Sequence, residues 1–202
     1  MSDSPSTSAA SAGAHLGERE REGVVDLLGA IAYGTMSGFT RMAADSELTD
    51  DLRLKTAVAG MAVGEFHSHE LLVGHIRALG ADPVAAMSPF VEAFDSFHAR
   101  TAPRNLAEAL VKAYIGDGIA DDFFREISVF VDDESRAIIA AASADDGRTD
   151  VIVEEVRAQI RADRHLAGPL ALWWRRLMGE ALSQGQLVAA HPEALVELIL
   201  GQ

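Results

Sequence analysis

The sequence contains no cysteine among its 202 residues. Without thiols the chain cannot form disulfides, bind an iron–sulfur cluster through thiolates or build a thiolate zinc site. Any metal ion would therefore have to be bound by carboxylate, imidazole or hydroxyl ligands.

Basic residues are also scarce. The chain has 17 lysines and arginines against 31 aspartates and glutamates, which gives a formal net charge of −14. A surface this acidic repels phosphate backbones, so we do not expect direct binding to nucleic acid.

Long apolar runs are missing as well. No stretch reaches the 18 or so consecutive apolar residues of a membrane helix, and the first 13 residues lack the basic and apolar regions of a signal peptide. We therefore expect a cytoplasmic protein that does not contact membranes. Residues 1–17 are rich in serine and alanine and are predicted to be a disordered tail, and 18–202 to form one domain.

What the sequence does contain favours helices. Hydrophobic residues make up 49% of the chain but aromatic residues only 6%, and alanine is abundant. The apolar periodicity and the capping residues predict long helices over 18–45, 49–79, 105–131, 132–163 and 168–190, and shorter ones over 89–100 and 193–200. Gly147 is a weak point within the fourth long helix.

Four long helices with a long connection between the second and the third are typical of a ferritin-like four-helix bundle. The predicted fold class is therefore all-α, with extra C-terminal helices added to the bundle. A helical bundle of another connectivity is the alternative.

A polar residue interrupts the apolar stripe near the middle of each long helix. These interruptions are Thr35, Glu65, Asp117 and Asp145, the last followed at helical spacing by Arg148. A carboxylate inside a bundle requires a metal ion, another cation or a proton. The alternative is that each stripe is rotated slightly and the acids face water.

Several longer segments resemble ferritin-like proteins related to the tRNA hydroxylase MiaE. They are VVDLLGAIAYG (24–34), AVGEFHSHELL (62–72), MSPFVEAFDSFHARTAP (87–103), LVKAYIGDGIADDFFREI (110–127) and AGPLALWWRRLMGEALSQGQ (167–186). The resemblance implies a di-iron site that activates dioxygen, built from carboxylates on two helices and a carboxylate–histidine pair on each of the other two.

The ligand pattern that this resemblance implies is incomplete. Carboxylates stand at Glu65, Asp117 and Asp145, but Thr35 replaces the glutamate of the first helix. Ser68 and Arg148 replace the two histidines.

Arginine stays protonated and does not bind metals, so we interpret Arg148 as an internal counter-ion in a metal-free relic of the site. The alternative is a single metal ion held by His69 together with Glu65, Asp117 and Asp145.

Three functions follow as hypotheses. The first is a non-catalytic binding or interaction protein without a cofactor, which we favour because it explains the substitutions directly. The second is a di-iron or single-metal hydroxylase acting on a modified tRNA base or a small molecule. The third is a small-molecule binder that uses space left by the short side chains of Thr35 and Ser68. The outer faces of the long helices and the apolar segment LVELIL (195–200) favour a homodimer.

Overall fold

The first two helices form an antiparallel pair that provides one side of the bundle. In the computed structural model, which describes residues 17–144 and 147–190, α1 spans Glu18–Asp45 and α2 spans Leu52–Ala78. Asp51 caps α2 by accepting hydrogen bonds from the backbone amides of Arg53 and Leu54. The bounds of both helices agree with the prediction, except that the cap is Asp51 rather than Thr49 or Asp50.

The connection after α2 is more helical than predicted. It contains α3 (Pro83–Met87), a 3₁₀ turn over Ser88–Phe90 and α4 (Val91–Arg100). Asp82 caps α3 and Pro83 takes its first position, where the missing amide costs nothing. A β-carbon at Gly29 would collide with the backbone oxygen of Ala86, so this glycine allows α1 and α3 to pack closely.

The third long helix, α5, spans Leu106–Ile127 and ends four residues earlier than predicted. Near the start of α5, Lys112 lies close enough to Asp45, the last residue of α1, for its charge to counteract the effect of burial, which raises the pKa of that carboxyl. Near the end of α5, Phe123 packs against the cluster that contains Val24 and Leu27, at the start of α1. Helix α5 is therefore antiparallel to α1.

The predicted fourth helix is wrong as a single element. The chain forms α6 (Asp133–Ala142) and α7 (Arg148–Ala162) instead, and Gly147 has a φ of 92°. A backbone in this left-handed region cannot continue a right-handed helix, so α7 begins afresh at Arg148. Arg148 therefore opens a helix, and the assumed helical spacing from Asp145 fails. Asp145 itself lies outside the described residues.

Helices α6 and α7 run antiparallel to α2. Their pairing is shown by a hydrogen bond between Nε2 of His75 and Oγ of Ser135 and by another from Ser68 to the carbonyl of Ala142. An ion pair between Arg53 and Glu155 follows further along. The four long elements thus point up, down, down and up, which is the order of a bundle with one long crossover. Helix α8 (Ala167–Ala190) packs along α5, where Trp173 donates a hydrogen bond to the carbonyl of Glu108.

Two main apolar clusters fill the bundle at different heights. One contains Leu28, Ile31, Leu72 and Ile76, and the other contains Met42, Val58, Met61 and Ile152. The middle of α1 and of α2 passes between these clusters, and the predicted polar positions 35 and 65 lie there.

The described part of the chain contains helices and turns but no strand, which confirms the all-α prediction. None of the helices described is both long and apolar enough to cross a membrane. The predicted tail (1–17, apart from Gly17) and the predicted helix over 193–200 lie outside the described residues. The structure gives only the helical backbone for Asp117, Ala120, Asp121, Phe124, Leu187, Ala189 and Ala190.

Candidate functional site

An ion pair links the middle of α2 to the start of α7. Nη1 of Arg148 donates to Oε1 of Glu65 at 2.6 Å, and the two side chains are only 15% and 13% exposed. Charged groups in this degree of burial are stable only when their charge is compensated. Among the predicted site residues, the structure brings these two into direct contact.

The position of Arg148 has an electrostatic cost that the contact with Glu65 offsets. The N-terminus of a helix carries partial positive charge, so a cation on the first residue of α7 is unfavourable by about 0.3–1 kcal/mol. Glu65 supplies a negative charge opposite that helix end. The carboxylate of Glu65 therefore offsets positive charge that both the guanidinium and the helix end contribute.

A glycine on α1 makes room for the carboxylate of the pair. A β-carbon at Gly38 would lie 3.2 Å from Oε2 of Glu65, and one at Gly64 would lie 3.6 Å from Nη1 of Arg148. The carboxylate is therefore pressed against α1, whereas the guanidinium lies at ordinary contact distance from α2.

Thr35 and Ser68, which stand where the resemblance implies metal ligands, both bond to backbone carbonyls. Oγ1 of Thr35 donates to the carbonyl of Ala32 at 3.0 Å, within its own helix. Oγ of Ser68 donates to the carbonyl of Ala142 at 2.7 Å. Ala142 is the last residue of α6, so Ser68 satisfies one of the carbonyls that a helix end leaves without a partner.

His69 points to α1. It is buried, its Nδ1 lies 2.9 Å from the carbonyl of Ala32, and its ring stacks on Phe66. Because a carbonyl only accepts, Nδ1 carries the proton of this hydrogen bond.

The remaining members of the predicted site cannot be placed. The side chain of Asp117 and the whole of Asp145 lie outside the described residues. Within the described residues, no three histidine, aspartate or glutamate side chains are arranged to share a metal ion.

A cavity of about 280 Å³ adjoins Glu65 and Thr35. It lies between α1, α4, α5 and α8, and most of its surface is apolar. Its apolar and small lining residues include Ile31, Gly34, Gly38, Met42, Phe94, Phe97, Ala113, Ile115, Gly116, Ile119, Phe123 and Val188.

Four charged or polar side chains gather at the end of the cavity where α1 ends. They are Arg41 and Asp45 on α1, His98 on α4 and Lys112 on α5. Nζ of Lys112 donates to the carbonyl of Thr101 at 2.8 Å and lies 5.5 Å from the centre of the Phe97 ring. This polar end was not predicted from the sequence.

Burial is the main cause of the pKa shifts of Lys112, His98 and Asp45. It lowers the pKa of Lys112 to about 8, against the opposing influence of Asp45. Burial, reinforced by the positive charges of Lys112 and Arg41, lowers the pKa of His98 to about 3, so this histidine is neutral at pH 7. Burial also raises the pKa of Asp45, which the same two cations partly counteract.

A signal in the sequence could have found Lys112. The chain has only two lysines, and this one lies three residues after Ala109 on the small-residue face of α5. A lone lysine among alanines and glycines on an inward face indicates a buried cation.

The fold and this site define a ferritin-like helical bundle whose mid-height polar layer contains an ion pair. A sequence model of the family described as "Ferritin-like domain, actinomycetes" matches residues 18–202. The chain belongs to this family. No curated protein matches the chain in a sequence comparison.

Proposed function

We propose that this protein is a non-catalytic ferritin-like binding protein. In this proposal the guanidinium of Arg148 supplies the positive charge opposite Glu65, and the adjoining cavity holds a small molecule. The observation that carries the proposal is the 2.6 Å contact between Nη1 of Arg148 and Oε1 of Glu65.

The residues do not fit the metal pair that the fold would imply. Oε1 of Glu65, one of the carboxylates that the resemblance implies as metal ligands, contacts a permanently charged guanidinium. Thr35 and Ser68 donate to carbonyls of α1 and α6. A cation so close to the carboxylate would repel a metal ion through Coulomb's law.

The net charge of −14 also supports a role other than tRNA hydroxylation. A substrate that is itself a polyanion would approach an acidic surface against long-range repulsion. A small molecule that enters the cavity meets no comparable barrier.

The test is metal content. The full chain is expressed in iron-rich medium, purified without chelator and measured by elemental analysis. We expect less than about 0.1 equivalent of iron, manganese or zinc per chain. About two irons per chain would overturn the proposal in favour of the hydroxylase. One metal ion would support the site that includes His69.

We also propose that the protein is a homodimer. Tyr114 and Trp174 are both about half exposed and line a shallow depression beside Met178, so α5 and α8 present an aromatic surface. Such surfaces often mark an interface. Light scattering on a gel-filtration peak tests this, and a monomer mass at about 100 μM would contradict it.

A further inference from the structure

The polar end of the cavity contains a buried cation, Lys112, to which no carboxylate of the described residues is hydrogen-bonded. Lys112 is only 7% exposed. Its interactions are the hydrogen bond to Thr101 and the contact with the ring of Phe97. An ammonium group has three N–H donors, so Nζ can still donate to a ligand that enters the cavity.

His98 provides a second group with spare capacity in the same place. Its Nε2 lies 2.6 Å from Oγ of Ser37, whereas its buried Nδ1 has no hydrogen-bond partner among the described residues. When the Ser37 hydroxyl donates to Nε2, Nδ1 carries the proton, and it can donate to a ligand oxygen only after the His98 ring turns towards the cavity.

The rest of the cavity suits an apolar chain. The lining residues on α1 extend from Ala30 to Asp45, which corresponds to about 22 Å of helix. Phe94 and Phe123 belong to the apolar part of this lining. An engineered apolar cavity of about 150 Å³ holds benzene, so in proportion a volume of about 280 Å³ holds about eleven non-hydrogen atoms.

We propose that the cavity binds an amphipathic molecule with a single anionic group, such as a medium-chain carboxylate. The anionic group contacts Nζ of Lys112 beside His98, and the chain lies along α1 towards Phe94. This inference rests on the proposed binding function and specifies the class of ligand.

The charges that face Lys112 support an anion rather than a cation. Arg41 on α1 adds a second positive charge, His98 on α4 is neutral, and Asp45 on α1 supplies one negative charge. These side chains leave the polar end of the cavity with one positive charge in excess, and Glu65, the other carboxylate of the lining, lies in the ion pair with Arg148. A bound carboxylate balances this excess.

The experiment compares octanoate with octanamide, which has the same size and shape but no charge. Isothermal titration calorimetry of the full chain at about pH 7 is expected to show octanoate binding at least about tenfold more tightly, because a charge-assisted hydrogen bond to Lys112 is stronger than a neutral one. At about pH 9.5 the preference should shrink, since Lys112 loses its proton while Asp45 stays charged and His98 stays neutral.

Two variants complete the test. Lys112→Met should weaken octanoate about tenfold and leave octanamide almost unchanged. The matched control is Lys55→Met, which removes the other lysine, an exposed partner of Glu47, and should change neither affinity. The comparison of the two ligands on the unmodified chain remains decisive if Lys112→Met folds poorly.

Each outcome has a distinct meaning. Equal binding of octanoate and octanamide would overturn the anion preference but leave a small-molecule binding protein. Absence of binding by both below about 1 mM would overturn this inference. The metal-free character of the proposed function is decided separately by elemental analysis.

Discussion

Two cations inside the described part of this bundle are accommodated in different ways. Arg148 contacts a carboxylate directly at the junction of α2 and α7, whereas Lys112 contacts a carbonyl and an aromatic ring at the end of the cavity. The lysine shows the cost of this arrangement, because burial lowers its pKa to about 8. Arg148 therefore stabilises the fold through its ion pair, whereas Lys112 keeps N–H donors that a ligand can use.

The largest effect should come from removing the guanidinium. We expect Arg148→Ala to lower the free energy of unfolding by about 3 kcal/mol, because it removes one partner of a largely buried ion pair. Urea unfolding measures this change. The double variant Glu65→Met and Arg148→Met should lose much less, since it removes both charges together.

The control for this prediction is Arg157→Ala. Arg157 pairs with Glu154 on the exposed surface of α7, and its loss should cost at most about 0.5 kcal/mol. If Arg148→Ala were as stable as the parent, the counter-ion hypothesis would be wrong.

Ser68→Ala tests the neighbouring contact between α2 and α6. We expect a loss of about 1 kcal/mol, because the carbonyl of Ala142 at the end of α6 loses its hydrogen bond. Thermal or urea unfolding can measure this. Ser88→Ala is a suitable control, since Ser88 makes a similar bond on an exposed surface. Equal effects for the two serines would mean that the Ser68 bond does not help to hold α6.

The pH dependence of stability tests the cation at the cavity. The pKa of Lys112 is lower in the folded state than its ordinary value of 10.5, so between about pH 8 and about pH 10.5 the unfolded chain binds more protons than the folded one. The lysine therefore opposes folding below about pH 8, and this penalty disappears as the pH rises.

In urea unfolding, the parent should gain stability relative to Lys112→Met as the pH rises from about 7.5 to about 10. Groups other than Lys112 contribute almost equally to both proteins and cancel in the comparison. A constant difference between the two proteins would show that the environment of Lys112 does not disfavour its charge.

The smallest effect should come from Gly38→Ala. The new methyl group would lie 3.2 Å from Oε2 of Glu65 and force the carboxylate to shift. Gly60→Ala, which meets nothing within 4 Å, should stabilise α2 by about 0.8 kcal/mol. We expect the free energy of unfolding of Gly38→Ala to be about 1 kcal/mol lower than that of Gly60→Ala. Equal free energies for the two variants would show that α1 does not confine the carboxylate of Glu65.

The bounds of helices with strong local signals could be predicted from the sequence. The bounds of α1 and α2 could be predicted because their apolar periodicity is long and the chain after Ala78 continues into Gly80 and Pro83. The break between α6 and α7 was expected only as a weak point, because the local signal is a single glycine whose left-handed conformation is visible only in the fold.

The candidate site also has one part that could be predicted from the sequence and one that could not. The contact between Glu65 and Arg148 could be anticipated, since a family pattern assigns both positions to one layer of the bundle. The polar end of the cavity could not, because the partner of Lys112 is a backbone carbonyl at the end of α4. No pattern of side chains encodes that contact.

The scarcity of lysine gives the protein a natural chemical reporter. Of the two lysine side chains, Lys55 lies at the surface and Lys112 lines the cavity with an amine that loses its proton more readily than usual. An acetylating reagent should modify Lys55 at once and Lys112 only as fast as the cavity admits the reagent. Mass spectrometry of the two peptides then measures how readily small molecules reach the interior, with no label added to the chain.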